Sequence, residues 1–392
     1  MADKISILPE AVLCHILSFL PTKQAVATSV LSKTWNSLWR SVLTLDFEYI
    51  DYIRSRENYA RFVQSVNAVI HSRDLHQPIQ KLRLTLNARA YDSTSITKCI
   101  NVAVQRRLQH LDLDLSLSCH HPINLSSIFT CTTLVVLKLH GLELKPFPAV
   151  DLPFLKILHL ERLSFSGRRC LSPLLSGCPV LEDFKARNLV FGSFVIGQEF
   201  KTLPKLVRVD ISIPSTYFLL RIVYNNVEFL RIYKMEVMHY IRDGEGRGGA
   251  NVFPKFHNLT HIELVYRNCI TAKDWLQVVE LLKHCPKLQV LVIDQPRSHG
   301  VEFDGIEEVG DWQYPPSVPE CILLHLNRCY LKDYIGTKGE FQFARYIMQN
   351  GRSLKRMTLC CGVMVNQHRK LKMLDQLSSC TRSSTTCKLS FK

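Results

Sequence analysis

One pattern recurs through most of the sequence: L-x-x-L-x-L, with other aliphatics or Phe allowed. Copies fall at Ile79/Leu82/Leu84, Leu108/Leu111/Leu113, Leu134/Leu137/Leu139 and Leu155/Leu158/Leu160. A degenerate copy, Leu181/Phe184/Ala186, precedes Leu206/Val209/Ile211, Val227/Leu230/Ile232, Leu259/Ile262/Leu264 and Leu288/Leu291/Ile293. The last two copies are Cys321/Leu324/Leu326 and Leu354/Met357/Leu359, and successive copies start 21 to 33 residues apart. The last two apolar positions of each copy alternate along one strand and point to one side. A single copy cannot bury its own apolar face, so neighbours must stack strand beside strand.

Steps of about 20–29 residues with this template are the signature of leucine-rich repeats, and 55 leucines among 392 residues are what such stacking requires. The fold class expected is α/β, a solenoid of parallel strands with helices on its convex side. The return segments fit. Thr271 can cap a helix in which Trp275, Val278, Val279 and Leu282 share a face, and Pro286 stops it. Tyr59, Phe62, Val63, Val66 and Ile70 predict a linking helix within residues 46–78. The run RDGEGRGGAN, residues 242–251, reads as a flexible loop, because it lacks the Gly-Lys-Ser/Thr of a phosphate loop.

Outward strand positions should line the concave face. They include Lys138, His140, His159, Glu161, Lys185, Arg187, Arg231 and Tyr233, with a basic stretch from Lys138 to Arg231. These are the candidate substrate-binding residues, set against the plainer reading of a solvated face.

The net charge of +15 invites a nucleic-acid reading. Residues 351–392 carry nine basic residues and one acidic, and end in the Ser/Thr-rich run SSCTRSSTTC. Much of the charge therefore reads as a solvated, partly disordered basic tail over residues 361–392. No apolar run reaches the 18 residues of a membrane helix. Fourteen cysteines without a CxxC pair suggest reduced, buried thiols in the cytoplasm or nucleus. His120 and His121 after Asp112 and Asp114, and His257 with His261, lack metal-ligand spacing. Without GxSxG, HExxH or GxGxxG, no catalytic residue, metal or cofactor is expected.

Residues 3–43 read as three short helices. Pro9 opens the first, in which Val12, Leu13, Ile16, Leu17 and Leu20 form an apolar stripe. Thr22 can cap the second and Ser32 the third, where Trp35, Leu38 and Trp39 share a face. Forty residues are too few to bury all these groups, so the cluster must dock on the rest of the chain or on another protein. The run LPEAVLCHILSFLPTKQAVATSVLSKTWNSLW, Leu8 to Trp39, resembles an F-box without a gap. The resemblance implies binding to the Skp-family adaptor of cullin–RING ubiquitin ligases through Leu8, Pro9, Ile16, Leu17, Leu20, Val30, Leu31 and Trp35.

Residues 312–359 predict a proline-rich start, strand, glycine turn, helix and strand. The helix, about Glu340 to Gln349, would bury Phe341, Ala344, Ile347 and Met348. The segment resembles the FBD domain of plant F-box/leucine-rich-repeat proteins at Val318-Pro319-Glu320-Cys321, Tyr334-x-Gly336, Glu340, Ala344-x-Tyr346-Ile347 and Leu354-Lys355-x-Met357. The organisation expected is F-box 1–45, linking helix 46–78, repeats 79–311, an FBD-like α+β unit 312–360 continuing the array, and the tail 361–392. The function this implies is a non-catalytic substrate receptor of a Skp–cullin–F-box ubiquitin ligase, without membrane or cofactor. The alternatives are a basic nucleic-acid-binding repeat protein and a repeat scaffold acting outside a ligase.

Overall fold

A computed structural model of the chain describes residues 5–50, 55–74, 76–87, 92–115, 123–146, 149–165, 171–191, 203–212, 226–233, 253–266, 270–296, 314–362 and 365–392. The Gly-rich run 242–251 and the His120-His121 pair lie outside them. The chain divides into two compact units, Met1–Lys205 and Leu206–Lys392.

The first unit opens with helices α1 (Glu10–Leu17), α2 (Thr22–Ala27) and α3 (Trp35–Ser41), with a 3-10 turn at Thr28–Val30. Pro9 and Pro21 each stand immediately before a helix, where a missing N–H costs nothing. The two expected caps are corrected. Thr22 is already helical, and its hydroxyl accepts from the Asp46 amide at 2.7 Å. Thr34, not Ser32, precedes α3. Leu13, Leu17, Ala25, Trp35, Leu38, Trp39 and Val42 form the module's own core.

A ladder follows: β1 (Thr44–Ile50), β2 (Lys81–Asn87), β3 (His110–Asp114), β4 (Val136–His140), β6 (Ile157–Glu161) and β8 (Asp183–Arg187), all parallel neighbours in that order. The register aligns Leu45, Leu82, Leu111, Leu137, Leu158 and Phe184 in one buried row. Residues 46–78 are thus not helix throughout. The first strand precedes a helix, α4 (Arg56–His71), and Leu45 and Phe47 continue the repeat row one step before its first recognised copy.

Three short strands, β5 (Glu143–Leu144), β7 (Ser164–Phe165) and β9 (Val190–Phe191), form a second sheet. The step from long strand to short is made by Gly141, Arg162 and Asn188, with φ of 68°, 51° and 52°. Each precedes a buried leucine, Leu142, Leu163 or Leu189.

Arg73 joins the helical module to the ladder. It is buried, and its guanidinium donates to the Trp39 and Val42 carbonyls. Those carbonyls belong to the C-terminal end of α3, where a cation suits the helix dipole. Burial, then the neighbouring Arg106, push its pKa down to about 10.

The second unit carries β10 (Arg208–Ser212), β11 (Phe229–Tyr233), β12 (His261–Val265), β13 (Val290–Asp294), β14 (Arg328–Tyr334), β15 (Arg356–Cys361) and β16 (Lys388–Phe391), again parallel in chain order. The expected helix at Thr271 spans Ala272–Lys283, with Thr271 and Asp274 forming a capping box.

Two expectations fail here. Cys321 and Leu324 lie in a short helix, Glu320–Leu324, and the repeat frame is Leu326/Cys329/Leu331, all buried. The supposed disordered tail is folded. Residues 367–378 form a helix that buries Met373 and Leu377, and Lys388–Phe391 pairs with β15 as a further strand. The FBD-like helix spans Lys338–Asn350 and buries Phe343 and Tyr346 besides Ala344, Ile347 and Met348, while Phe341 is only half-buried. Its Glu340 is also buried and accepts from the amides of Ile335, Gly336 and Thr337 and from Gln295.

Candidate protein-binding surfaces

The helical module has two apolar stripes on α1, because its apolar residues exceed what one face can hold. Leu13 and Leu17 point into the core. Val12, Ile16 and Phe19, four and three residues apart, stand on the other side in solvent. Leu8 is 40% exposed and Ile16 41%, while Leu31 and Val30 on the following turn reach 65% and 86%. Pro9 is exposed as well, and Leu20 is partly buried at the core's edge.

Two of the eight expected interface residues are therefore corrected. Leu17 at 1% exposure and Trp35 at 7% belong to the module's interior, and the Trp35 indole donates to Ser6 Oγ at 2.8 Å. Their role is to hold the exposed stripe in place. The sequence reading missed Val12 and Phe19 as surface residues, and Ile5 and Ile7 before the helix. The signal was present: 12/16/19 is a helical stripe as regular as 13/17/20.

The second surface is the outward side of the long strands in the first unit. The register lines up Asp46, Arg83, Asp112, Lys138, His159 and Lys185 in one row. Glu48, Thr85, Asp114, His140, Glu161 and Arg187 form the next. Signs alternate from Asp46 to Lys138 in the first row, and several side chains pair with an acid. Arg83 lies 3.7 Å from Asp46 and 3.9 Å from Asp112. His140 contacts Asp114 at 3.1 Å, His159 contacts Asp183 at 3.3 Å and Lys185 contacts Glu161 at 2.6 Å. Burial works to raise the Glu161 carboxyl, but the Lys185 ammonium outweighs it and leaves it below its usual value. Half-exposed pairs like these contribute about 0–1 kcal/mol each. The expected basic stretch is thus in part an ion-pair ladder, although Lys138, His159 and Lys185 stay adjacent in one row.

In the second unit Arg231 meets Glu263 at 3.1 Å and lies 5.1 Å from the Tyr233 ring. Glu263 also accepts from His261 at 3.2 Å. That bond, with Arg231 beside it, holds the Glu263 carboxyl below its ordinary value against the opposing effect of burial. His261 contacts Glu263 at 3.2 Å. Among the described residues, no three His, Cys, Asp or Glu side chains are placed to hold a metal ion, and no helix is long and apolar enough to cross a membrane.

A three-helix module with an exposed apolar stripe, followed by stacked Leu-rich strands, is the architecture of an F-box protein with leucine-rich repeats. The family models agree: the F-box domain matches residues 5–46, the LRR repeats of FBD-associated F-box protein At5g56370 match 96–197, and FBD matches 313–359. Two FBD-associated F-box proteins of Arabidopsis thaliana are similar along their whole length. One is 31% identical over 95% of this chain and 98% of its own, the other 30% over 99% and 100%. An F-box/FBD/LRR-repeat protein of the same plant is 29% identical over 100% of this chain and 94% of its own. The chain belongs to the FBD-associated F-box family of leucine-rich-repeat proteins.

Proposed function

We propose that the chain is the non-catalytic substrate receptor of a Skp–cullin–F-box ubiquitin ligase in the cytosol or nucleus. Its F-box holds the Skp-family adaptor, and the outward strand faces hold a protein substrate. The observation that carries this reading is the second apolar stripe. Val12, Ile16, Phe19, Val30 and Leu31 stay in solvent although the module has a filled core of its own. Burying each on a partner would contribute up to about 1.5–3 kcal/mol. Such a receptor needs no reacting group. It acts by raising the local concentration of substrate near the conjugating enzyme.

Replacing Leu8 and Pro9 together with alanine tests the interface. Co-purification with the adaptor should be lost while the melting profile of the repeats is kept. Undiminished co-purification would overturn the assignment. The nucleic-acid alternative loses its main motive in the first unit, where the outward lysines and arginines stand in rows with carboxylates.

A further inference from the structure

Four outward strand cations, Arg83, Lys185, Arg231 and Lys332, lie 3.7, 2.6, 3.1 and 3.7 Å from a carboxylate. Lys81 and Lys138 have no such ion pair, but each stands as a single cation between its two register neighbours. One row instead gathers three cations side by side. The register places Arg328 on β14 beside Arg356 on β15, and Arg356 beside Lys388 on β16. All three are exposed, and none of their side chains has an ion-pair, hydrogen-bond or ring partner among the described residues. Parallel neighbours stand about 4.8 Å apart, so the backbone positions carrying the three positive side chains span about 10 Å. Like charges side by side on a sheet destabilise it, so the row contributes nothing to the fold. Edge protection explains one member at most. Lys388 is on the outermost strand, where a lysine discourages further pairing, but Arg328 and Arg356 sit on strands with neighbours on both sides. The exposed Lys355, just before Arg356, extends the patch.

We propose that this row is a docking strip for a short acidic segment of a protein substrate, a run of Asp or Glu side chains. This deepens the receptor reading and rests on it. Two or three adjacent carboxylates match the row's length. A nucleic acid would require a longer track of cations, and this row stops at Val290 on β13. The fixed spacing on strands, with backbone held by the ladder, pre-arranges the charges and lowers the ordering cost of binding.

The test uses the full-length chain and a fluorescein-labelled oligo-glutamate peptide of about ten residues, read by anisotropy at low and at physiological salt. Wild type should bind, more weakly as salt rises. Arg328→Glu with Arg356→Glu should weaken binding about tenfold or more. The same net change at exposed helical sites, Arg61→Glu with Lys98→Glu, should leave it unaltered. Arg328→Gln with Arg356→Gln provides a milder pair if the reversal disturbs folding, and should weaken binding less. Absence of binding by wild type, or equal loss in the control pair, overturns the strip. Tighter binding of an oligothymidylate of equal length overturns it in favour of nucleic acid. Adaptor co-purification, measured on the same samples, separates the two claims. Its failure in wild type refutes the ligase reading, while failure of peptide binding with the adaptor retained refutes only the strip.

Discussion

Leu17 and Leu31 are both leucines of the F-box, and the structure gives them opposite duties. Leu17 is 1% exposed inside the module, whereas Leu31 is 65% exposed on its surface. Leu17→Ala removes buried methyl groups and leaves a cavity, at a cost of about 2–5 kcal/mol of stability. Leu31→Ala leaves stability within about 0.5 kcal/mol, as exposed substitutions do. Its effect falls on the partner. Full burial of a leucine contributes about 1.5–3 kcal/mol, and two thirds of that remains to be gained, roughly 1–2 kcal/mol. The expected loss is therefore about 5- to 30-fold in adaptor affinity. Titration calorimetry against the purified adaptor, with thermal melting of both variants, gives the two numbers. Unchanged affinity for Leu31→Ala, or equal destabilisation by the two substitutions, would refute the division between stripe and core.

Arg162 takes a left-handed conformation that disfavours a side chain by roughly 1–2 kcal/mol. Arg162→Gly should raise the melting temperature of the chain, and a lowered one would count against the argument. The Glu263 carboxyl titrates below its free value, so its contribution is complete above the unfolded pKa of about 4.3 and is lost as pH falls through the lower folded one. Glu263→Gln should therefore flatten the acid limb of a stability–pH curve, and an identical limb would contradict the geometry. Burial raises the thiols of Cys99, Cys178 and Cys321 to about 12. Iodoacetamide at pH 8 should leave them unmodified in the native chain and alkylate them after denaturation, which peptide mass mapping reads directly.

The repeats were legible because strand periodicity survives in the bare sequence. The buried row from Leu82 to Phe184 is the pattern itself made solid. Errors arose where other constraints covered that period. Cys321 and Leu324 matched the template by chance of spacing, yet Pro319 before them sets a helix start, and the true frame begins at Leu326. The C-terminal segment looked solvated because its charges and serines dominate composition. The fold buries Val365, Met373, Leu377 and Cys387 from it, while Leu371 and Leu374 on the same helix stay exposed. In the F-box, sequence identified the apolar residues of α1 but could not divide them between interior and surface. That division depends on where α3 packs, and it places Leu17 and Trp35 inside. The basic row Arg328, Arg356 and Lys388 was invisible for a simpler reason. Its members are 28 and 32 residues apart in the chain and become neighbours only through strand register.

The Arg73 contact bears on how the protein can be taken apart. Cutting the chain at residue 45 would remove both carbonyls that receive its guanidinium and sever the first strand of the ladder. Arg73 would lose these acceptors, and the repeat fragment would expose Leu82 and Leu84, which β1 covers from the side. The F-box is thus not an interchangeable head. An exchange of F-boxes between relatives must carry Arg73 and the first strand with it, and place the junction no earlier than the end of the segment reaching Ile79.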